Sequence, residues 1–235
     1  MDTKALRQLT YGVYLVTARD EDGGQVGCVV NTAMQLTSSP YRLAVTMNHE
    51  NRTLAAIRRT RAFAVTCLTQ AADMDLVGTF GFAHSDERDK FAGRPTGHTQ
   101  AGIPYVTQAA GAVIECSLMT AVDAGTHDVL IGDVTDAIVL DDKTPALTYA
   151  YYHGVLKGTT PPRASSFVGE APASASAQAA PHPAPADAPA QAAPATHHFQ
   201  CQLCGYVYET TEEELPADFV CPLCGAAATM FERID

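Results

Sequence analysis

Two short repeats carry the clearest chemistry in the chain: C-Q-L-C-G at residues 201–205 and C-P-L-C-G at residues 221–225. Two C-x-x-C clips bring the thiolates of Cys201, Cys204, Cys221 and Cys224 to one metal ion, and a tetrahedral sulfur cage selects zinc or iron. Gly205 and Gly225 permit the positive φ that tight turns around an ion require. Zinc would make the cage a structural clip. Iron would make it an electron relay, which needs a source of electrons elsewhere. Spacing alone leaves the choice open.

A second stretch with chemical content is VVNTAMQLTSSPYRLAVTMNHENRT, residues 29–53. Thr37, Ser38 and Ser39 before Pro40 offer hydroxyls and consecutive amides to carbonyl or phosphate oxygens. Asn51 or Thr53 can cap the helix predicted over TLAAIRRT, whose N-terminus is an anion site. The same residues also suit an ordinary polar turn and an ordinary cap. His127, at the start of a β-branched run, reads either as a strand-end histidine bonded to a neighbouring carbonyl or as a participant in hydride transfer. Arg58, Arg59 and Arg61 read as a solvated helix end, and Tyr151 and Tyr152 as packing residues or a cover for a ligand.

The elements that must position these groups are mainly strands. YGVYLVTAR and QVGCVVNTAM flank the turn DEDGG as a hairpin, and RLAVTM, AFAVTCL, AVIECSLMTAV and DVLIGDVTDAIVL are further β-branched runs. Helices are predicted over TKALRQL, TLAAIRRT and DMDLVGTFG. Many strands, few helices and no regular βαβ alternation predict a closed or partly open antiparallel barrel. No G-x-G-x-x-G follows a strand and no phosphate-binding G-x-x-x-x-G-K-S/T occurs, so a nucleotide would have to be held another way. Cys28, Cys67 and Cys116 stand singly in apolar stretches and read as buried thiols.

Residues 164–197 contain 14 alanines and 6 prolines. Proline at this frequency removes amide donors and prevents a continuous helix. The segment is therefore expected to be a flexible linker, spanning roughly 30 Å as a coil and holding its two ends near millimolar effective concentration. It separates a domain at 1–163 from a small one at 198–235.

The 235 residues carry a net charge of −11, which argues against nucleic acid as a partner. More than half of it sits on residues 198–235, with one basic and seven acidic side chains, as suits short-lived docking on a basic surface. The apolar runs are of strand length and no secretory signal is read at MDTKALRQLT, so no membrane span and a cytoplasmic location are expected.

Around the clips, CQLCGYVYE and LPADFVCPLCGAAATMFERI resemble rubredoxin. The resemblance implies that Cys201, Cys204, Cys221 and Cys224 hold one iron beside an aromatic core of Tyr206, Phe219 and Phe231. Phe219 stands where tryptophan is frequent, and the segment between the clips is short. Upstream, L-x-Y-G-V-Y-x-V-T, N-T-A-x-Q-L-T-S-S-P, N-x-x-N-x-T, F-G-F before D-E-R-D-K-F, and G-T-H-D-V-L-I-G-D-V resemble the flavin reductase family. That implies an FMN-binding split β-barrel of Greek-key type, acting as a homodimer. FMN would be bound by Asn31, Thr32, Ala33, Thr37, Ser38, Ser39, Asn48, Asn51 and Thr53, with Phe80, Gly81 and Phe82 close by and His127 near flavin and nicotinamide.

The two modules in this order resemble the high-molecular-weight rubredoxins. The resemblance implies an NAD(P)H-dependent oxidoreductase in which FMN, a converter of hydride into single electrons, supplies the iron and then a partner such as a flavo-diiron reductase of oxygen or nitric oxide. Two other readings stay open. One is a flavin reductase that gives reduced flavin to a monooxygenase; the other is a flavoprotein with a zinc-clipped docking tail.

Overall fold

β1 (Tyr14–Arg19) and β2 (Gln25–Val30) pair antiparallel in register from Tyr14 opposite Val30 to Arg19 opposite Gln25. Their turn closes through Asp20 and Gly24, with Gly23 at φ +83°, a conformation that glycine adopts freely. The computed structural model describes residues 2–83, 85, 88–167, 197–201, 207–216, 219–221 and 226–234, which divide into units spanning residues 1–175 and 176–235. The division falls inside the expected linker, most of which (168–196) lies outside the described residues.

In the first unit a 3-10 helix (Thr3–Gln8) precedes β1 where a helix is expected over TKALRQL, and the remaining elements are β3 (Ala33–Ser38), β4 (Tyr41–Asn48), α1 (Arg52–Thr60), β5 (Ala62–Leu68), α2 (Met74–Phe82), β6 (Thr96–His98), β7 (Pro104–Val106), β8 (Ala110–Asp123), β9 (His127–Val139) and α3 (Tyr149–Gly154). Seven strands form an antiparallel sheet in the order β2-β1-β5-β8-β9-β4-β3, and β6 pairs with β7. β2 and β4 are far apart in that order, yet Val26, Cys28 and Val30 share one core with Leu43, Val45 and Met47. The sheet is therefore curled into a barrel, as the strand-rich, helix-poor pattern predicts. Bulges in the pairing of β8 with β9 help to bend these longest strands.

The helices close the barrel. α1 begins where the Asn51 carboxamide accepts from the Thr53 amide at 2.8 Å and ends at Arg61, held at φ +61° with its amide on the Ile57 carbonyl. Its apolar face, Leu54, Ala56 and Ile57, packs beside Val16 and Val26, and burying the leucine and isoleucine side chains contributes about 2 kcal/mol each. α2 is capped by Asp73, which accepts from the Leu76 amide at 2.8 Å. It sets Leu76, Val77 and Phe80 into a second core with Val13, Leu15 and Phe91.

Three elements differ from the sequence expectation. The run QVGCVVNTAM is broken at Asn31 and Thr32, where the Thr32 carbonyl accepts from the Thr46 amide at 3.0 Å and the chain restarts as β3. Tyr151 and Tyr152 lie in a helix, α3, capped by Thr148. The arginines of α1 are paired: Arg59 bonds Asp20 at 2.8 Å, Arg58 pairs with Asp128, and Arg61 donates to the carbonyls of Leu118 and Met119.

In the second unit, β10 (His197–Cys201) pairs antiparallel with β11 (Val207–Thr210) and β12 (Phe231–Arg233), placing Cys201 opposite Phe231. No helix among the described residues is long and apolar enough to cross a membrane.

Candidate active site and metal centre

One cleft in the first unit gathers residues that are distant in sequence. Its walls are Val29, Val30 and Asn31 at the end of β2, Thr46, Met47 and Asn48 at the end of β4, and Asn51 at the cap of α1. Val77, Gly81 and Phe82 come from α2, His127 from β9, and Tyr149 and Tyr152 from α3. Apolar walls with a few convergent amides and one imidazole are the usual make-up of a cofactor site. A stretch of chain after α3, containing Thr159, Pro161 and Arg163–Ser165, closes one side.

The antiparallel ladder explains the convergence of Asn48 and His127, which are register partners across β4 and β9. The His127 Nε2 faces the Arg163 carbonyl at 3.1 Å, and Nδ1 lies 2.8 Å from the Thr126 hydroxyl. A carbonyl accepts only, so Nε2 carries the proton, and in the neutral ring Nδ1 accepts from Thr126. Burial, foremost, pushes the His127 pKa below its ordinary value; the Arg163 carbonyl opposes this and His49 adds to it.

Behind the cleft, the Asp128 carboxylate is buried and accepts from His49 Nε2 at 3.0 Å and from the Arg58 guanidinium. Asp123 stands 3.5 Å from the same His49 nitrogen. This network ties α1 to the ends of β4 and β9, which carry Asn48 and His127.

Of the flavin-site residues expected from sequence, Asn31, Asn48, Asn51, Gly81, Phe82 and His127 line the cleft. Thr32 adjoins it through a hydrogen bond to Asn31. Ala33 opens β3 and packs against the barrel core. Thr53 is buried in the first turn of α1, and its hydroxyl has no hydrogen-bond partner among the described residues. Two groups lie elsewhere. Thr37, Ser38 and Ser39 are exposed at the far end of the β3–β4 hairpin, where the Thr37 hydroxyl donates to the Pro40 carbonyl at 2.5 Å. Phe80 is a core residue, edge-on to Phe91 and under β2, because its helical phase matches that of Leu76 and Val77.

Tyr149, Thr159 and Arg163 of the cleft were not anticipated. Tyr149 and Tyr152 of α3 stack at 5.8 Å between ring centroids, with His153 edge-on to both. The N-cap threonine before Y-A-Y-Y-H-G was the available signal for this helix.

These residues fit a flavin. The Thr159 hydroxyl is buried, belongs to a residue lining the cleft, and lacks a hydrogen-bond partner among the described residues. Asn31, Asn48 and Asn51 add carboxamides that both donate and accept, as the heterocycle of a flavin requires.

In the second unit the Cys201 and Cys221 side chains are buried. Cys221 follows a bridge between Val220 and Ala227, and its amide donates to the Ala226 carbonyl at 2.7 Å. Cys204 and Cys224 lie outside the described residues, as do Gly205, Tyr206 and Gly225. Phe219 meets Phe231 edge-on at 5.3 Å and Tyr208 at 4.5 Å, so Tyr208 joins the aromatic core. Four thiols in two clips, two of them shown buried, fit a thiophilic ion. Cys28 and Cys116 are buried in β2 and β8, and Cys67 is half-buried in β5. Burial pushes the Cys116 thiol up to about 12, which suits inert packing.

Comparison with known proteins matches residues 6–160 to the flavin reductase-like domain and residues 199–232 to the rubrerythrin, rubredoxin-like domain. A high molecular weight rubredoxin of Moorella thermoacetica is 39% identical over 100% of both chains. A ferric-chelate reductase (NAD(P)H) of Archaeoglobus fulgidus is 41% identical over 71% of this chain and 98% of its own. The crystal structure of a nitrilotriacetate monooxygenase component B homologue from Mycobacterium thermoresistibile superposes with a TM-score of 0.56 at 26% identity, covering 62% of this chain and 79% of that one. The barrel is thus the split β-barrel of the flavin reductases, and the chain belongs to the flavin reductase family in the arrangement of the high-molecular-weight rubredoxins, with a rubredoxin-like domain at its C-terminal end.

Proposed function

We propose that the chain is an NAD(P)H-dependent flavin and rubredoxin oxidoreductase that carries electrons from a nicotinamide to a four-cysteine iron centre and on to a redox protein partner. The observation that carries this reading is the cleft. It brings Asn31, Asn48, Asn51 and His127 from four separate elements into one apolar-walled site, in a chain that also carries two cysteine clips. FMN bound there supplies the conversion of a two-electron hydride donor into single-electron steps.

The roles of the chain's own residues follow. Asn31, Asn48 and Asn51 hold the ring through their carboxamides. Thr32, Ala33, Gly81 and Phe82 border it, and Thr53 contributes a buried hydroxyl at the positive end of α1. Neutral His127 would offer its Nε2 proton to flavin or nicotinamide without adding charge. Cys201, Cys204, Cys221 and Cys224 ligate the iron. The acidic residues 198–235 favour a basic docking face, such as that of a flavo-diiron reductase of oxygen or nitric oxide.

A homodimer belongs to the reading. β3 is an edge strand with Met34 64% exposed and Tyr41, which opens the neighbouring β4, 62% exposed, an apolar rim suited to a second copy. Thr37, Ser38 and Ser39, on the same hairpin, would then lie at the subunit contact. The ferric-chelate reductase relative, whose name includes NAD(P)H, supports the donor.

The test is the absorption spectrum of the purified protein under argon before and after NADH or NADPH. Flavin bands and ferric-thiolate charge transfer that both bleach are expected. A zinc-only protein whose flavin alone is reduced would overturn the relay.

A further inference from the structure

The cleft residues assigned to the cofactor already have partners within the chain. The Asn31 carboxamide donates to the Ser166 hydroxyl and accepts from the Ser165 hydroxyl at 3.3 Å. The Thr32 hydroxyl lies 2.7 Å from that of Ser165, and the His127 ring donates to the Arg163 carbonyl. All three donors and acceptors come from one segment, residues 163–166, just C-terminal to the domain matched by the family model.

The segment is built to lie there. Gly158 runs so close to Tyr152 that a Cβ on it would stand 2.0 Å from the ring, so only glycine lets the chain fold back over α3. The fold-back is pinned by the Tyr152 hydroxyl on the Thr159 carbonyl at 3.1 Å and by the Tyr149 hydroxyl against Thr160 at 2.5 Å. Beyond the pins the hold is light. Ser165 and Ser166 are held to Asn31 and Thr32 by hydroxyl hydrogen bonds, and Arg163 is tied to Glu50 by an exposed ion pair at 3.0 Å, of the kind worth little in water. A firmly anchored base with a lightly held end is the construction of a strap that opens.

We propose that residues 163–166 form a strap over the flavin cleft, hinged beyond the pinned Thr159 and Thr160, that binds Asn31, Thr32 and His127 and is displaced when FMN takes those groups. The inference rests on the flavin reading of the cleft. A hydroxyl and a main-chain carbonyl can stand in for the polar edge of a flavin because both exchange hydrogen bonds with amides and imidazole. Strap and cofactor compete for one set of partners, so binding FMN must release the strap, and weakening the strap must strengthen binding by the same factor.

The test uses the full chain stripped of flavin. FMN binding is followed by quenching of its fluorescence, and hydrogen exchange is measured for the peptide containing residues 159–167 with and without FMN. The double substitution Ser165→Ala and Ser166→Ala is expected to tighten FMN binding about tenfold, the scale of one or two neutral hydrogen bonds. In the unsubstituted chain FMN is expected to speed exchange of that peptide. Gly158→Ala, which forces the base of the strap off Tyr152, should tighten FMN in the same direction. If FMN binds but the serine variant binds it equally or more weakly, or if FMN slows exchange of the peptide, the strap is overturned while the flavin site stands. Failure of every variant to bind FMN overturns both.

Discussion

Asp128 is buried to 1% exposure one residue after His127 on β9, and strand alternation sends the two side chains to opposite faces, His127 into the cleft and Asp128 onto Arg58 and His49. The cleft histidine is therefore held in place from behind by an ion pair it does not touch.

Asp128→Ala leaves the Arg58 guanidinium and His49 without that carboxylate. Breaking a fully buried pair costs about 3–5 kcal/mol. Arg58 is half exposed, so solvent recovers part of it, and a loss of about 2 kcal/mol in urea unfolding of the first unit is expected. A loss below about 0.5 kcal/mol, the range of ordinary surface substitutions, would mean that the network does not hold β9 to α1.

His127 is expected to titrate below 6.5, since burial disfavours the charged ring. The sign for stability follows. As pH falls through 6.5 the unfolded chain takes up the proton first, so the contribution is complete above that pH and is lost on acidification toward the lowered folded value. An NMR titration of the ring Cε1 proton reads the midpoint directly. A midpoint at or above 6.5 would show that burial does not lower the ring's pKa.

The cysteine clips, the strand runs and the first two α-helices were legible because each is a local pattern: metal-ligand spacing, β-branched alternation and a cap followed by a helical face. The cleft was legible only through family resemblance. Asn48 and His127 meet because β9 pairs with β4, a long-range choice that no local pattern encodes. Helical phase, which makes Phe80 core while Gly81 and Phe82 line the cleft, could have been read from the spacing of Leu76, Val77 and Phe80. The return of residues 158–166 could not, because it depends on the gap that Gly158 leaves beneath a tyrosine.

Two glycines near Phe80 should behave in opposite ways. A Cβ at Gly27 of β2 would meet the Phe80 ring at 2.9 Å and Thr17 at 3.1 Å, and Phe80 is fully buried against Phe91. The ring has no room to yield, so Gly27→Ala is expected to cost about 1–3 kcal/mol of overpacking. At Gly81 in α2 the nearest atom would be Val29 Cβ at an ordinary 3.6 Å, and alanine favours helix. Gly81→Ala should leave thermal unfolding unchanged or raised. The reverse order of the two melting temperatures would show that α2 does not seat on β2 as described.

Cys201 ends β10 opposite Phe231, with its side chain buried, and Phe231 in turn meets the Phe219 ring. So small a unit, with three short strands among the described residues, has little hydrophobic burial to offset its chain entropy, so the ion's binding energy becomes folding energy. Cys201→Ser should therefore lose the metal together with the protease resistance of residues 197–234. The unfolding transition of the first unit, whose core is its own, should not move. Metal analysis of the variant, limited proteolysis and calorimetry measure the three quantities separately. A variant that keeps one equivalent of metal would remove Cys201 from the ligand set, and one that loses metal but keeps its protease resistance would show a domain held by its aromatic residues rather than by the ion.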